Sequence, residues 1–560
     1  MRGLLVAAVM AALVPVGAAA QTAADLAKGQ QDTKDVLNYG MSYSLQRYST
    51  LDQINKETVK KLVPVWNYSY DDNRSEESQP IVYNGVLYVT TNSATMAVDA
   101  KTGRQIWKTK VDYPPETPRI VCCGIINRGA ALYEGKVFRT TLDANVIALD
   151  AKTGKEVWKQ NAIDFKTGYS MTVAPLVADG VVITGISGAE FGTRLFIDGW
   201  DAETGKHLWR TYTVPAPGEA HSDTWPGDTW QHGGGSTWIT GSFDPDLHTV
   251  YWGIGNPGPF NAALRKGDNL YTDSVLALDP KTGKIKWYFQ FSPNDPFDYD
   301  SVAEMVLADL KINGKPTKVV MDANRNGFFY VIDRTDGKLL AAHPYVKVNW
   351  AKGIDMKTGR PIDTDVVAKA IAGEKVELWP SILGGKNWEP VAFDPKREVV
   401  YANTLNIGMP YKAIPVDYKA GDWYLGMDLT LGWIWPKTED GKDAPRGYLK
   451  AIDPMTGKAK WEAPSELPRF SGVLATAGGV VFSGQLTGEF EAFDADSGKK
   501  LWHFQTGSGI EGQPITWEQD GVQYVAVSSG IGGVYSLFSG DERLKDIPAG
   551  GSLWVFALQK

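Results

Sequence analysis

Cysteine is almost missing from this chain of 560 residues, which holds only two. Two thiols exclude a disulfide-rich scaffold, an iron–sulfur protein and a cysteine-rich zinc site. No C-x-x-C-H occurs, so no covalent c-type haem is expected in the chain. The six histidines show neither H-E-x-x-H nor any other compact metal spacing and read as surface or packing residues. A basic surplus is also lacking. The formal net charge of −8 argues against nucleic acid as a partner. Past residue 20 no apolar run approaches the roughly 18 residues of a membrane span, so none is expected. No low-complexity stretch or charge run marks a linker between domains.

The one apolar run lies at the start. Arg2 precedes the apolar stretch Leu4 to Val16, and Ala18-Ala19-Ala20 stands before Gln21. A short positive region, an apolar core and small residues at the end read as a signal peptide over 1–20. The mature chain, 21–560, is then expected in the periplasm. That compartment is oxidising, so the two cysteines are expected to pair.

Glycine and tryptophan are what the chain has in plenty, with 59 and 20 copies. Both belong to a repeat. The phrase Asp-x-x-(Thr/Ser)-Gly-x-x-x-Trp occurs at Asp99–Trp107, Asp150–Trp158, Asp201–Trp209, Asp279–Trp287, Asp453–Trp461 and Asp494–Trp502. A copy at Asp333 has Ala341 in place of Trp, and an eighth keeps only the strand ending on Trp66. Each phrase reads as strand, turn, strand, with Asp shaping the turn and Gly supplying φ > 0. Upstream lie two more strands, such as Pro80–Tyr83 and Val86–Thr90 around Asn84-Gly85. Four antiparallel strands per unit, repeated eight times, predict an all-β, eight-bladed propeller. The Trp66 strand and the strand Ser552–Leu558 are expected to share one blade and close the ring. Insertions around Lys347–Lys386 and Ile407–Pro445 lengthen one step and are candidates for the binding face.

The tryptophan-ended phrase resembles the docking motif of the PQQ-dependent (quinoprotein) alcohol dehydrogenases, which use pyrroloquinoline quinone and a metal ion. The resemblance runs from about Leu37 to the carboxyl end. It rests on Cys122-Cys123-Gly-Ile-Ile-Asn-Arg128-Gly, Gly-Ile-Ser187-Gly188-Ala189-Glu190, Gly-Gly-Gly-Ser-Thr-Trp238, Gly-Asn256-Pro-Gly-Pro-Phe-Asn and Phe-Asp298-Tyr-Asp300, in that order. It extends to the lanthanide-type methanol and ethanol dehydrogenases.

Adjacent Cα atoms lie about 3.8 Å apart, below the usual disulfide range. A bond between Cys122 and Cys123 therefore closes a small ring, the alternative being two separate buried thiols. The resemblance implies that this ring lies against one face of the quinone and Trp238 against the other. It implies that Glu77, Arg128, Thr172, Ser187, Gly188, Ala189, Arg325 and Asn387 surround the cofactor. A shift of one residue would exchange Glu77 for Glu76. Arg128 and Arg325 suit the carboxylates of the quinone, since guanidinium makes bidentate charge-assisted pairs.

Asp298 and Asp300 are two apart, so in an extended segment both carboxylates face one side. Such an edge suits a hard cation, although a lone Asp-x-Asp is more readily a solvated turn. The resemblance places Glu190, Asn256 and Asp298 on calcium-ligating positions. Asp300 falls where calcium members carry Ala or Ser and lanthanide members carry Asp, so a lanthanide ion is expected, with Ca²⁺ as the alternative. Asp298 is the implied general base. The resemblance further implies that hydride passes from the alcohol carbon to the quinone and that a separate soluble cytochrome c takes the electrons. A dedicated methanol dehydrogenase, a sugar or polyol dehydrogenase and a non-catalytic propeller scaffold remain as other readings. Phe260, near Asn256, either bounds an alcohol pocket or packs the core. A homodimer is the quaternary state that similar lanthanide-type enzymes suggest. Gly507-Ser-Gly509-Ile-Glu-Gly512 matches G-x-G-x-x-G, but Gln513-Pro514 follows where a helix should begin, so no nicotinamide site is expected.

Overall fold

A computed structural model describes residues 20–559. The expected signal peptide, apart from Ala20, lies outside the described residues. Among the described residues no helix is long and apolar enough to cross a membrane.

Eight sheets follow one another around a ring, seven with four antiparallel strands in chain order and the eighth combining the first long strand of the chain with its last three; one of the seven gains a short fifth, parallel strand, Tyr48–Ser49. The blade Ile81–Tyr83, Val86–Thr90, Ala94–Asp99 and Gln105–Lys110 is representative. Its first hairpin turns at Asn84 and Gly85, both at positive φ, as the dipeptide predicts. The ring closes as expected. Leu62–Ser69 pairs antiparallel with Ser552–Leu558, which continues into Val522–Ser529 and Ile515–Gln519. The long step holds the blade Ala392–Asp394, Val399–Leu405, Gly447–Ile452 and Ala459–Ser465. One insertion precedes this blade and the other joins its second and third strands; the two pair with each other, Val376–Leu378 against Met409–Tyr411.

The repeated phrase is a joint between blades. Trp107 Nε1 donates to Ala151 O at 3.0 Å, Trp158 to Ala202 O at 3.3 Å, Trp209 to Pro280 O at 3.0 Å and Trp461 to Ala495 O at 3.0 Å. Each acceptor directly follows the Asp that opens the next phrase. The indole also lies flat over the glycine of that turn. A Cβ on Gly154 would stand 2.5 Å from Trp107 Cε3, and Gly154 has φ 68°. Where Ala341 replaces the indole, His343 fills the gap, its Cβ 2.6 Å from where one on Gly457 would be. Gly154→Ala is expected to cost roughly 1–3 kcal/mol through left-handed strain and the displaced ring. A lower melting temperature would show it, with exposed Lys155→Ala as an unaffected control.

An amino-terminal segment ties the blades together. Backbone N–H groups of Phe243, Leu307, Phe393 and Ala475, each in the first strand of its blade, donate to carbonyls of Tyr43, Ser44, Gln46 and Arg47. Arg47, fully buried, makes a two-point pair with Glu304 (2.6 and 3.2 Å) and donates to Gln79 Oε1 at 2.5 Å.

Candidate active site

In each blade a tight turn joins strands one to two, and in all but the closing blade an Asp-led turn joins three to four. The remaining connections, two to three and four to the next blade, emerge at the opposite end because the strands are antiparallel. Every residue proposed from the sequence lies on these remaining connections. They converge on a cavity of about 260 Å³.

Glu77, Cys122, Cys123, Arg128, Thr172, Ser187, Gly188, Glu190, Trp238, Asp298, Asp300, Arg325 and Asn387 line it. Ala189 and Asn256 are buried but do not reach its wall. Glu77 lines the cavity and Glu76 does not. Cys122 and Cys123 are bonded to each other.

Arg128 sits at one side. Its Nη1 donates to Thr172 Oγ1 at 2.6 Å, its Nη2 pairs with Glu77 at 2.8 Å, and its guanidinium lies 4.6 Å from the Trp238 ring centre. That contact is a cation–π geometry.

Arg325 sits at the other side and pairs with the acidic residues. Its Nη1 donates to Asp300 Oδ2 at 2.7 Å and its Nη2 to Asp298 Oδ2 at 3.0 Å, while Ile382 O accepts from Nε at 2.9 Å. Asp300 Oδ1 also accepts from the Asn256 N–H at 2.8 Å, and the Trp238 side chain hydrogen-bonds the same carboxylate. Asp300 is therefore fully engaged. Asp298 Oδ1 and Asn256 Oδ1 are buried without a partner. Burial holds the Asp298 carboxyl well above the usual carboxylate range, against the pull of Arg325. Burial, then the charge of Asp300, pushes Glu190 up to about 7.

The donor chemistry fits a hard cation, since two unpartnered buried oxygens stand beside two further carboxylates. Arg325 competes with such an ion for the aspartates. Among the described residues no three carboxylate, histidine or cysteine groups close on one point by themselves. The remaining wall fits a flat aromatic group, with the disulfide, an indole and a guanidinium around one space.

Sequence reasoning missed much of the mouth. Phe191, Trp423, Leu425, Leu429, Trp433 and Phe538 line it, together with Ile382 and Met409 from the insertions. Trp423 and Leu429 are exposed and Phe260, buried, forms part of the same wall. The insertions flagged the region, but no repeat or motif pointed to these side chains.

A closed propeller with a disulfide-walled, indole-floored acidic cavity on one face defines a quinoprotein dehydrogenase. The chain belongs to the family described as "PQQ: Glucose/ethanol/alcohol dehydrogenase, beta-propeller domain", matched over residues 37–352 and 442–525. It is 40% identical to the quinoprotein alcohol dehydrogenase PedH of Pseudomonas putida, over 99% of this chain and 96% of that protein. It is 42% identical to a quinoprotein ethanol dehydrogenase of Pseudomonas aeruginosa, over 95% of this chain and 92% of that one. Among solved structures, a europium-containing methanol dehydrogenase superposes with a TM-score of 0.90 at 36% identity, covering 96% of this chain and all of the other. The chain is thus a PQQ-dependent alcohol dehydrogenase of the quinoprotein family.

Proposed function

We propose that this dehydrogenase oxidises primary alcohols to aldehydes in the periplasm, with a lanthanide ion beside PQQ and a soluble cytochrome c as acceptor. The observation that carries the metal reading is Asp300. It adds a buried carboxylate next to Asp298 and Glu190, and the extra negative charge favours a trivalent ion over Ca²⁺. The likeness to a europium-containing enzyme supports the same choice.

Glu190, Asn256, Asp298 and Asp300 would hold the metal. The Cys122–Cys123 ring and Trp238 would pack on opposite faces of the quinone. Glu77, Arg128, Thr172, Ser187, Gly188, Ala189, Arg325 and Asn387 would surround it. When bound, the quinone accepts hydride and the metal supplies Lewis acidity. The chain does the rest. Asp298 takes the hydroxyl proton, its carboxylate oriented by Arg325 at Oδ2. Phe260, Trp423, Leu425 and Trp433 keep water from the reacting carbon and receive the alkyl or aryl part of the alcohol. That apolar mouth favours hydrophobic alcohols over sugars and polyols.

The test is dye reduction by metal-stripped protein given PQQ with La³⁺ or Ca²⁺, across alcohols from methanol to 2-phenylethanol. Activity with La³⁺ and a higher kcat/KM for the larger alcohols are expected. Equal or better activity with Ca²⁺ would sink the metal reading, and a preference for glucose or glycerol the substrate reading. Asp300→Ala is expected to weaken lanthanide affinity by at least about 10–100-fold, the scale lost with an outer partner of a metal site.

A further inference from the structure

The glycine-rich loop Gly507–Gly512, which carries no nucleotide site, has another use. It leads from the strand Lys500–Gln505 to Ile515–Gln519, on the face that holds the cavity. Its glycines allow close backbone contact. A Cβ on Gly509 would lie 2.5 Å from Leu486 O, and one on Gly512 2.5 Å from Ser528 O. Held this way, the loop turns Glu511 inward, only 1% exposed, behind the cavity wall.

There Glu511 meets Glu77 through one hydroxyl. Ser75 Oγ stands 2.5 Å from Glu511 Oε2 and 3.4 Å from Glu77 Oε1. A serine hydroxyl has one proton and cannot donate to both carboxylates. With both carboxylates ionised the hydroxyl serves only one of them; with one protonated, that carboxyl donates to Ser75 and Ser75 donates to the other. The surroundings decide which one is protonated. Glu77 has Arg128 at 2.8 Å to stabilise its charge. Glu511 faces Glu77, Ser75, the Gly532 N–H and, farther off, Arg128, with Glu76 on its other side. Burial, then the charge of Glu77, pushes Glu511 well above the carboxylate range. The same pair supports the wall next to the disulfide. A Cβ on Gly533 would be 3.0 Å from Glu77 Oε1 and 3.2 Å from Glu511 Oε1, and one on Gly124, beside the cysteines, 3.5 Å from Gly533 Cα.

We propose that Glu511 is a positioning residue for the quinone site: as a neutral acid it donates to Ser75, Ser75 donates to Glu77, and the chain holds Glu77 against Arg128. The role rests on the proposed placement of PQQ in this cavity. The sign with pH follows. The protonated form is present below the elevated pKa of Glu511. As pH rises through the elevated pKa of Glu511, a second charge appears beside Glu77, the donation reverses, and Arg128 is drawn away from an anionic ligand.

The test titrates PQQ, with La³⁺ present, into cofactor-free full-length protein followed by tryptophan fluorescence, with melting curves to confirm folding. Glu511→Ala and Ser75→Ala are expected to weaken binding about tenfold at neutral pH, the effect of losing one buried hydrogen-bonded link. Glu511→Gln, whose amide donates but cannot ionise, restores the affinity. Its binding stays flat as pH is raised, whereas that of the wild type weakens about tenfold once Glu511 ionises. A second readout needs no cofactor. The infrared difference between wild type and Glu511→Gln at neutral pH should show the C=O stretch of a protonated carboxyl. Absence of that band, parallel pH curves, or Glu511→Gln as weak as Glu511→Ala would each overturn the proposal. The band present with PQQ unbound by the wild type would instead remove the cofactor placement, and with it the positioning role.

Discussion

Asp298→Asn is expected to lower kcat by about 100- to 10,000-fold, the contribution of a positioned general base, with PQQ still bound. The substitution is conservative in every respect but one. Asp298 has φ 59°, a left-handed conformation that Asn tolerates as well as Asp. The turn is held independently of the Asp298 side chain, since Asp295 accepts from the N–H groups of Phe297 (3.0 Å) and Tyr299 (2.7 Å). An amide oxygen can still accept from Arg325. What Asn cannot do is take a proton. Steady-state dye reduction gives kcat, and the absorbance of bound cofactor in the same sample reports occupancy. Turnover retained at the wild-type rate would remove Asp298 from the base role.

The second large effect concerns stability. Arg47→Ala is expected to cost about 3–5 kcal/mol, because it leaves the Glu304 carboxylate buried with its charge uncompensated. Both side chains are almost wholly enclosed, at 0% and 1% exposure. Arg47 also lies on the segment whose carbonyls join the first strands of four blades, so the loss acts on the ring rather than on one loop. Replacing both partners, Arg47→Met with Glu304→Leu, is expected to recover most of the loss, as no buried charge is then left alone. Denaturant titration of the three variants checks both statements. A single variant as stable as the wild type would show that water reaches Glu304. The site should feel the change too, since Gln79, which accepts from Arg47, donates its own N–H to Arg128 O.

The propeller was readable because its signal is repeated and local. Asp150, Gly154 and Trp158 define a turn and a strand within nine residues, and the same phrase recurs complete in six of the eight blades. Even the missing copy is intelligible, because Ala341 leaves space that His343 occupies. The closing strand was readable for a similar reason. Trp66 stood without its blade, and Ser552–Leu558 had no partner.

Most of the residues proposed from the sequence line one cavity, but their contacts were not legible. Cys122-Cys123, Asp298 and Asp300 stand out as residue types at telling spacings. Their partners do not, because they come from other blades. Arg325 was expected to face the carboxylates of a ligand, yet the fold sets it on Asp298 and Asp300, which lie 27 and 25 residues away. Glu511 sits 434 residues from Glu77, inside a motif that points elsewhere. The apolar mouth was invisible because Trp423, Leu429 and Phe538 follow no period.

The sequence by itself determined the repeat, the ring and the roster of chemical groups, since each depends on short-range patterns: turn residues, alternation and a recurring indole. Only the tertiary structure decided which carboxylate keeps a free oxygen, which arginine meets which acid, and that Glu77 rather than Glu76 faces the cavity. Those outcomes depend on where loops from different blades converge. Burial and charge pairing act there over a few ångströms in space, between residues hundreds of positions apart in the chain.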